Sequence, residues 1–311
     1  SLLSMLLLLS MLLLLLPLPG HSAEKPSVLV IESYHSGYQW DKDYTRALRD
    51  ELSDSAELTF FQLDTKRLPP DTYQQRADLA WQAYLDLNPD LVILGDDNAL
   101  KFLADRFLDT QTPVVYLGIN NNPRNYFSEL MKNITGVLER PLYRRSIAYM
   151  REIMAHKLSK VLILFDDGTT AQTLLQEEFK DKNRMVIGSI EMDILLISQI
   201  DDWYREINNS ADNGYDAIVV GLYHTITDAD GMHVPEEEII RWTSNHSPLP
   251  LFAYWDFAVG KEKTIGGLVL DGYDQGQLAA GIVKRVLAGH PLPKIPLSSG
   301  QGQLVFSRSQ L

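Results

Sequence analysis

Val28 to Asp41, VLVIESYHSGYQWD, is the stretch from which the architecture is read. Four aliphatic and β-branched residues, Val28 to Ile31, run into a polar and aromatic turn, Glu32 to Trp40. Asp41 is then placed to cap a helix that carries Tyr44, Ala47, Leu48 and Leu52 on its apolar face. This is strand, loop, helix. In an open parallel sheet, ligands bind beyond the carboxyl ends of the strands. Ser33, Tyr34, His35, Tyr38 and Trp40 therefore stand where a ligand would be met. Any one of them could instead plug the top of the core, but so many polar and aromatic positions in one loop favour a site.

Downstream the alternation repeats. Leu58 to Leu63 predicts a second strand ending in Asp64-Thr65-Lys66-Arg67, and Pro69-Pro70-Asp71 starts a helix with Tyr73, Ala77, Ala80, Trp81 and Tyr84 on one face. Leu91 to Leu94 is a third strand, turning through Gly95-Asp96-Asp97-Asn98 into a helix with Leu100, Leu103 and Phe107. Pro113 to Leu117 is a fourth, closed by Gly118 to Asn122. Ile134 to Leu138 and a helix from Pro141 to His156 lead into a fresh series. Its strands are predicted at Val161 to Phe165, Met185 to Ile190, Ala217 to Val220 and Leu249 to Ala253. Its helices fall near 171–179, 200–211 and 236–245. Apolar strands separated by helices predict parallel, doubly wound sheets, and two such series predict two lobes. Ile265 to Leu270 and a helix from Tyr273 to Leu287 are expected to return to the first lobe, and Pro291 to Phe306 to cross over again.

The chain opens on a leucine run, Leu2 to Leu18, followed by Pro-Gly and the small-residue site His21-Ser22-Ala23. This reads as a cleaved secretory signal peptide covering 1–23, which makes the protein periplasmic. The run is at the short end for a bilayer span and is broken by Pro17, which argues against a retained anchor. There is no cysteine, so neither a lipidated cysteine nor a disulfide contributes, and a large core must hold the fold. With 28 basic against 41 acidic residues, a net charge of −13, the chain repels phosphate backbones, and no nucleic-acid partner is expected.

SYHSGYQW at Ser33 to Trp40, DTKR at Asp64 to Arg67, DDNALKFL at Asp96 to Leu103, PVVYLGIN at Pro113 to Asn120 and ITGV at Ile134 to Val137 resemble the periplasmic-binding-protein type I family of ABC transporter substrate-binding proteins. More narrowly, they are similar to the branch that also serves as extracytoplasmic sensor domains of histidine kinases. GYDQGQLAAGIVKRVLAGHPLPKIPL at Gly272 to Leu297 is similar to the family's last helix and crossover. Ser36 departs from the proline found in many relatives, and Lys182 to Met232 carries no matching motif.

The resemblance implies an α/β Venus-flytrap: two doubly wound parallel-sheet lobes joined by a three-crossover hinge. The expected division is 24–138 with 267–290 for the first lobe and 139–266 with 291–311 for the second. The ligand would lie between them, met by Ser33, Tyr34, His35, Trp40, Asp97, Asn98 and Asn120 from the first lobe. From the second come Asp166, Thr169, Tyr223 and Trp255, with Asp256 and Asp271 near the hinge. Rings stack on apolar ligand surface or hold a cation, carboxylates receive an ammonium, and helix amides receive a carboxylate, so an amino acid or aromatic zwitterion would use all three. Asp97 and Asn98 could equally cap a helix, and Asp166-Asp167-Gly168 could be an ordinary turn. The implied partners are a small-molecule ligand and the permease of an ABC importer; the alternative is a membrane sensor that receives the closed form. A monomer is expected.

Enzyme classes lose their usual supports, since there is no GxSxG elbow, phosphate loop or GxGxxG. Asp96 and Asp97, adjacent at a helix start, are poorly placed to serve one reacting atom, so no catalytic residue is expected. No cofactor or metal is expected either. The histidines lack ligand spacing, and Asp228-Ala229-Asp230-Gly231 is not followed by the glutamate of a calcium loop, Ile239 standing in its place.

Overall fold

In the computed structural model, residues 24–128, 131–155, 157–294, 296–298 and 302–310 are described. The leucine run, its cleavage site at 21–23 and His156 lie outside the described residues. The first sheet contains β1 (Ser27–Glu32), β2 (Glu57–Gln62), β3 (Leu91–Gly95), β4 (Val114–Ile119) and β5 (Ile134–Leu138), together with β12 (Leu297–Ser298) from the far end of the chain. Its order is β12-β5-β4-β3-β1-β2, and every neighbouring pair is parallel. Its central strands β3 and β4 are buried at every position, as strands covered on both faces must be.

The second sheet holds β6 (Lys160–Asp166), β7 (Arg184–Ile187), β8 (Ile190–Ile197), β9 (Ala217–Val220), β10 (Leu251–Ala253), β11 (Gly266–Val269) and β13 (Gln303–Phe306), in the order β13-β11-β10-β9-β6-β8-β7. Only its outer pairs, β7 with β8 and β11 with β13, are antiparallel. The helices are α1 (Gln39–Leu52), α2 (Tyr73–Leu87), α3 (Asp96–Leu103), α4 (Tyr143–Ile153), α5 (Thr169–Glu177), α6 (Ile200–Asn209), α7 (Glu236–His246) and α8 (Gly272–Leu287). The chain crosses between the lobes after β5, after β11 and between β12 and β13. The fold is thus two α/β lobes with three crossovers.

Four local expectations are corrected. Helix α1 begins at Gln39, so Asp41 does not cap it but lies in its first turn, fully buried. The single strand expected at Met185 to Ile190 is a hairpin: Gly188, at φ +63°, takes the left-handed conformation of a two-residue turn, and β8 follows. Strand β11 pairs with β10 and β13, so residues 266–269 complete the second sheet, and the return to the first lobe comes only with α8. In the tail, β12 pairs with β5, so two residues of the stretch assigned to the second lobe belong to the first sheet.

Helix α8 is pressed onto α1. A Cβ at Gly272 would lie 2.5 Å from the Trp40 carbonyl oxygen, and one at Gly276 would lie 2.5 Å from that of Tyr44. These glycines let the C-terminal helix press α1 and its aromatic start against the strand ends.

Candidate functional site

The carboxyl ends of β1, β3 and β4 face the second lobe, and the side chains there meet it directly. The Tyr34 hydroxyl lies 3.1 Å from that of Thr170 at the start of α5. The Tyr38 ring meets His224 edge-on at 4.8 Å and Phe257 at 6.0 Å. Trp255 Nε1 donates to Glu139 Oε1 at 2.6 Å, and Asn120 Nδ2 donates to Glu139 Oε2 at 3.0 Å. Glu139 stands at the first crossover, so one carboxylate ties the hinge to both lobes. These contacts enclose a chamber of about 10 Å³ bounded by Tyr34, Tyr38, Trp40 and Trp255, with Asp96, Asn120 and Lys66 among its walls.

Three buried polar atoms on this chamber have no partner among the described residues: Asp96 Oδ2, Asn120 Oδ1 and Trp40 Nε1. Leaving such groups unpaired costs about 1–3 kcal/mol each, so two acceptors and one donor are held ready there. Asp96 also has a backbone φ of +68°, a left-handed conformation that an aspartate tolerates but that strains a helix start. Gly118, itself at φ +70°, leaves room for its carboxylate: a Cβ there would lie 3.3 Å from the Asp96 carboxyl. Burial pushes the Asp96 carboxyl well above the usual carboxylate range, neighbouring Asp41, Glu139 and Asp97 push it further, and Lys66 opposes them. Burial likewise raises Glu139 to about 8, against the hydrogen bonds from Trp255 and Asn120.

Beside the chamber lies a cavity of about 620 Å³ between the lobes, and Tyr34, Lys66 and Thr170 border both. Thr169 and Gly168 bring the N-terminus of α5 to this cavity, where its amides and dipole favour an anionic group. A side cavity of about 320 Å³ lies between His35, Lys66 and Arg67 of the first lobe and His224, His233 and Glu236 of the second. Burial, with the nearby Lys66 and Lys263 charges, lowers the His224 pKa well below the usual histidine value.

Of the residues expected at the site, the fold brings Tyr34, Trp40, Asn120 and Trp255 to the chamber, Asn98, Asp166 and Thr169 to the larger cavity, and His35 to the side cavity. Ser33, Asp97, Tyr223, Asp256 and Asp271 border none of these spaces. Ser33 Oγ donates to the Gly95 carbonyl and accepts from Ala99 N, stapling β1 to α3. Asp97 accepts from the backbone N–H groups of Asn120 and Asn121, which fixes the end of β4. Asp271 caps α8 through Asp274 N, and Tyr223 stacks on His224 at 4.4 Å behind the cleft wall. Asp256 lies at the hinge, its carboxyl raised to about 7 by burial and by Asp43 and Asp271. Asp166 combines two tasks, accepting from Gly168, His224 and Thr225 N–H groups while bordering the cavity.

Sequence reasoning passed over Lys66, Asp96, Glu139 and Thr170. Lys66 was visible only inside the DTKR motif, and Asp96 was weighed only as an acid–base pair with Asp97, which adjacency at a helix start argues against. Among the described residues no group of three or more histidines and carboxylates is arranged to hold a metal. No helix among them is long and apolar enough to cross a membrane.

No family model and no curated protein matches the chain in sequence. Solved structures do match in shape. A conserved domain protein from Vibrio cholerae superposes with a TM-score of 0.68 at 16% identity, over 92% of this chain and 93% of that one. An ABC domain from Streptococcus pneumonia in complex with L-Trp gives 0.62 at 16% identity, over 91% and 92%. A carbohydrate transporter solute-binding protein from Agrobacterium radiobacter in complex with D-arabinose gives 0.56 at 12%, over 92% and 95%. Transcription regulators share the architecture as well. Two parallel-sheet lobes, three crossovers and a cleft at the strand ends give this chain the fold of the type I periplasmic binding proteins.

Proposed function

We propose that this chain is an extracytoplasmic, periplasmic solute-binding protein that captures a small organic ligand between its lobes and delivers it to an ABC-type importer. The observation that carries this reading is the chamber: three unpaired buried polar atoms, Asp96 Oδ2, Asn120 Oδ1 and Trp40 Nε1, stand among aromatic rings at the seam between the lobes. Such a constellation is costly in a merely structural role and is relieved by a ligand that donates to two acceptors and accepts from one donor. An amino acid or other aromatic zwitterion has that inventory, and the adjoining 620 Å³ cavity has room for its side chain. The L-Trp and D-arabinose complexes of similarly folded proteins bracket two ligand classes. The ring-rich chamber favours the first.

A thermal-shift screen of amino acids, aromatic acids and small sugars tests the reading, with native mass spectrometry of the protein purified without refolding to catch a retained ligand. A ligand bound only by the folded protein raises its stability by RT ln(1 + [L]/Kd), about 2.7 kcal/mol at 100 times Kd. The absence of any stabilising compound and of any co-purifying mass would refute it.

A further inference from the structure

Lys66 is the cation among the chamber's lining residues, and its charge has no conventional partner among the described residues. Its ammonium lies 4.3 Å from the ring centroid of Tyr34 and 4.7 Å from that of Tyr38, and it forms no hydrogen bond or ion pair among the described residues. An ammonium held over two ring faces, in a chamber that a carboxyl group also lines, is the arrangement by which proteins recognise cationic amines. Here the amine belongs to the protein itself. Its charge acts on both Asp96 and Asp41, lowering the pKa of each against their burial. The chamber beside it, at about 10 Å³, holds one water molecule at most. No ligand head group enters while Lys66 stays. Its flexible four-carbon stem, however, also borders the 620 Å³ cavity and the side cavity, so there is space into which it can withdraw.

We propose that the chamber is a site for the alkylammonium group of a ligand, read by Asp96 and the faces of Tyr34 and Tyr38, and that the Lys66 ammonium holds this position until the ligand displaces it. This rests on the solute-binding reading and adds to it the charge of the recognised group and the residue that competes for its place. The competition has a consequence for selectivity. A compound with an amine replaces one cation with another and keeps the Asp96 carboxylate compensated, whereas an acid of the same shape leaves it unpaired. If Lys66 were instead the anchor of a ligand carboxylate, removing it would weaken binding; as a stand-in, removing it strengthens binding.

The test is titration calorimetry with tryptamine and its deaminated acid counterpart indole-3-propionate on the wild type, Lys66→Met and Asp96→Asn. Lys66→Met is expected to bind tryptamine at least about fivefold more tightly than the wild type. Asp96→Asn should bind it at least about tenfold more weakly, with no matching change for indole-3-propionate. Unchanged or weaker tryptamine binding by Lys66→Met overturns the proposal, as does an Asp96→Asn effect equal for amine and acid. Urea unfolding of the ligand-free wild type, both single variants and the double variant gives a readout independent of any ligand: coupling between the two positions is expected, and simple additivity refutes the stand-in. If sugars or acids stabilise the protein while tryptamine binds neither wild type nor Lys66→Met, the ammonium site is wrong and the solute-binding reading stands. If nothing in the screen binds, the solute-binding reading itself has failed, and the unfolding cycle still decides whether Lys66 compensates Asp96.

Discussion

The hydroxyl of Tyr34, on the first lobe, and the hydroxyl of Thr170, on the second, stand 3.1 Å apart and form a direct polar bridge across the cleft. One partner follows β1 and the other begins α5, so the bond exists only when the lobes are closed. Its net worth is about 0.5–1.5 kcal/mol, enough to shift a closed-to-open ratio severalfold.

Tyr34→Phe keeps the ring over Lys66 and removes only this bridge. The variant should unfold in urea much like the wild type, yet small-angle scattering should show a larger ligand-free radius of gyration, and ligand affinity should fall by about two- to tenfold. Identical scattering and affinity would mean that closure does not depend on the bond.

Trp40 is 3% exposed, as buried as core residues, while its Nε1 has no partner among the described residues. Trp40→Ala should therefore cost about 3–5 kcal/mol in ligand-free stability, as for a core aromatic. Trp40→Phe retains most of the apolar contact and deletes the unpaired donor, so it should change stability by less than about 1.5 kcal/mol while weakening binding about tenfold. Equal loss of stability and no loss of affinity in Trp40→Phe would assign the indole N–H no role in recognition.

Asp256 gives a pH signature. Its folded-state pKa of about 7 lies above the ordinary 3.8, because burial and the Asp43 and Asp271 carboxylates disfavour its ionised form. Between pH 4 and 7 the folded protein therefore holds a proton that the unfolded chain has released, and stability is lost as pH rises through this window. Asp256→Asn has no proton to lose. Its stability relative to the wild type should grow from pH 4 to pH 7 and then level off, with a gain on the order of a few kcal/mol. A difference that is constant with pH in chemical denaturation would remove Asp256 as its cause. His224, held neutral by burial, acts in the opposite sense, since its stability contribution falls as pH drops below the ordinary histidine range.

Most of the first lobe was legible because its signals are local. The apolar runs at Val28 to Ile31 and Leu91 to Leu94 are strands that any buried parallel sheet requires, and Tyr44, Ala47, Leu48 and Leu52 mark one face of α1 at helical spacing. Tyr34, Trp40 and Asn120 could be placed because strand ends face the cleft. The rest of the chamber depends on juxtapositions with no local trace. Glu139 meets Trp255 across 116 residues, and nothing around Glu139 marks it as more than a connector. Asp96 is set apart by a left-handed backbone that the sequence Gly95-Asp96-Asp97 does not announce, while Asp97, its more capable-looking neighbour, is consumed in fixing β4. The hairpin of β7 and β8 was merged into one strand because the Gly188-Ser189 turn is so short. β11 was misassigned because its glycines, Gly266 and Gly267, are shaped by the close approach of β13 and β10 rather than by any apolar run.

The seating of α8 on α1 also governs how such a chain can be made. Glu51 of α1 is paired with Lys284 of α8, 233 positions later, and β5 finds its outer neighbour only in β12. Closing so long a loop is entropically costly and slow, and it must wait for the distant partner to exist. While the chain emerges from a ribosome, the amino-terminal half is left with an uncovered helix face, and neither lobe can finish its core. The first lobe can therefore lock only once its last helix has been synthesised.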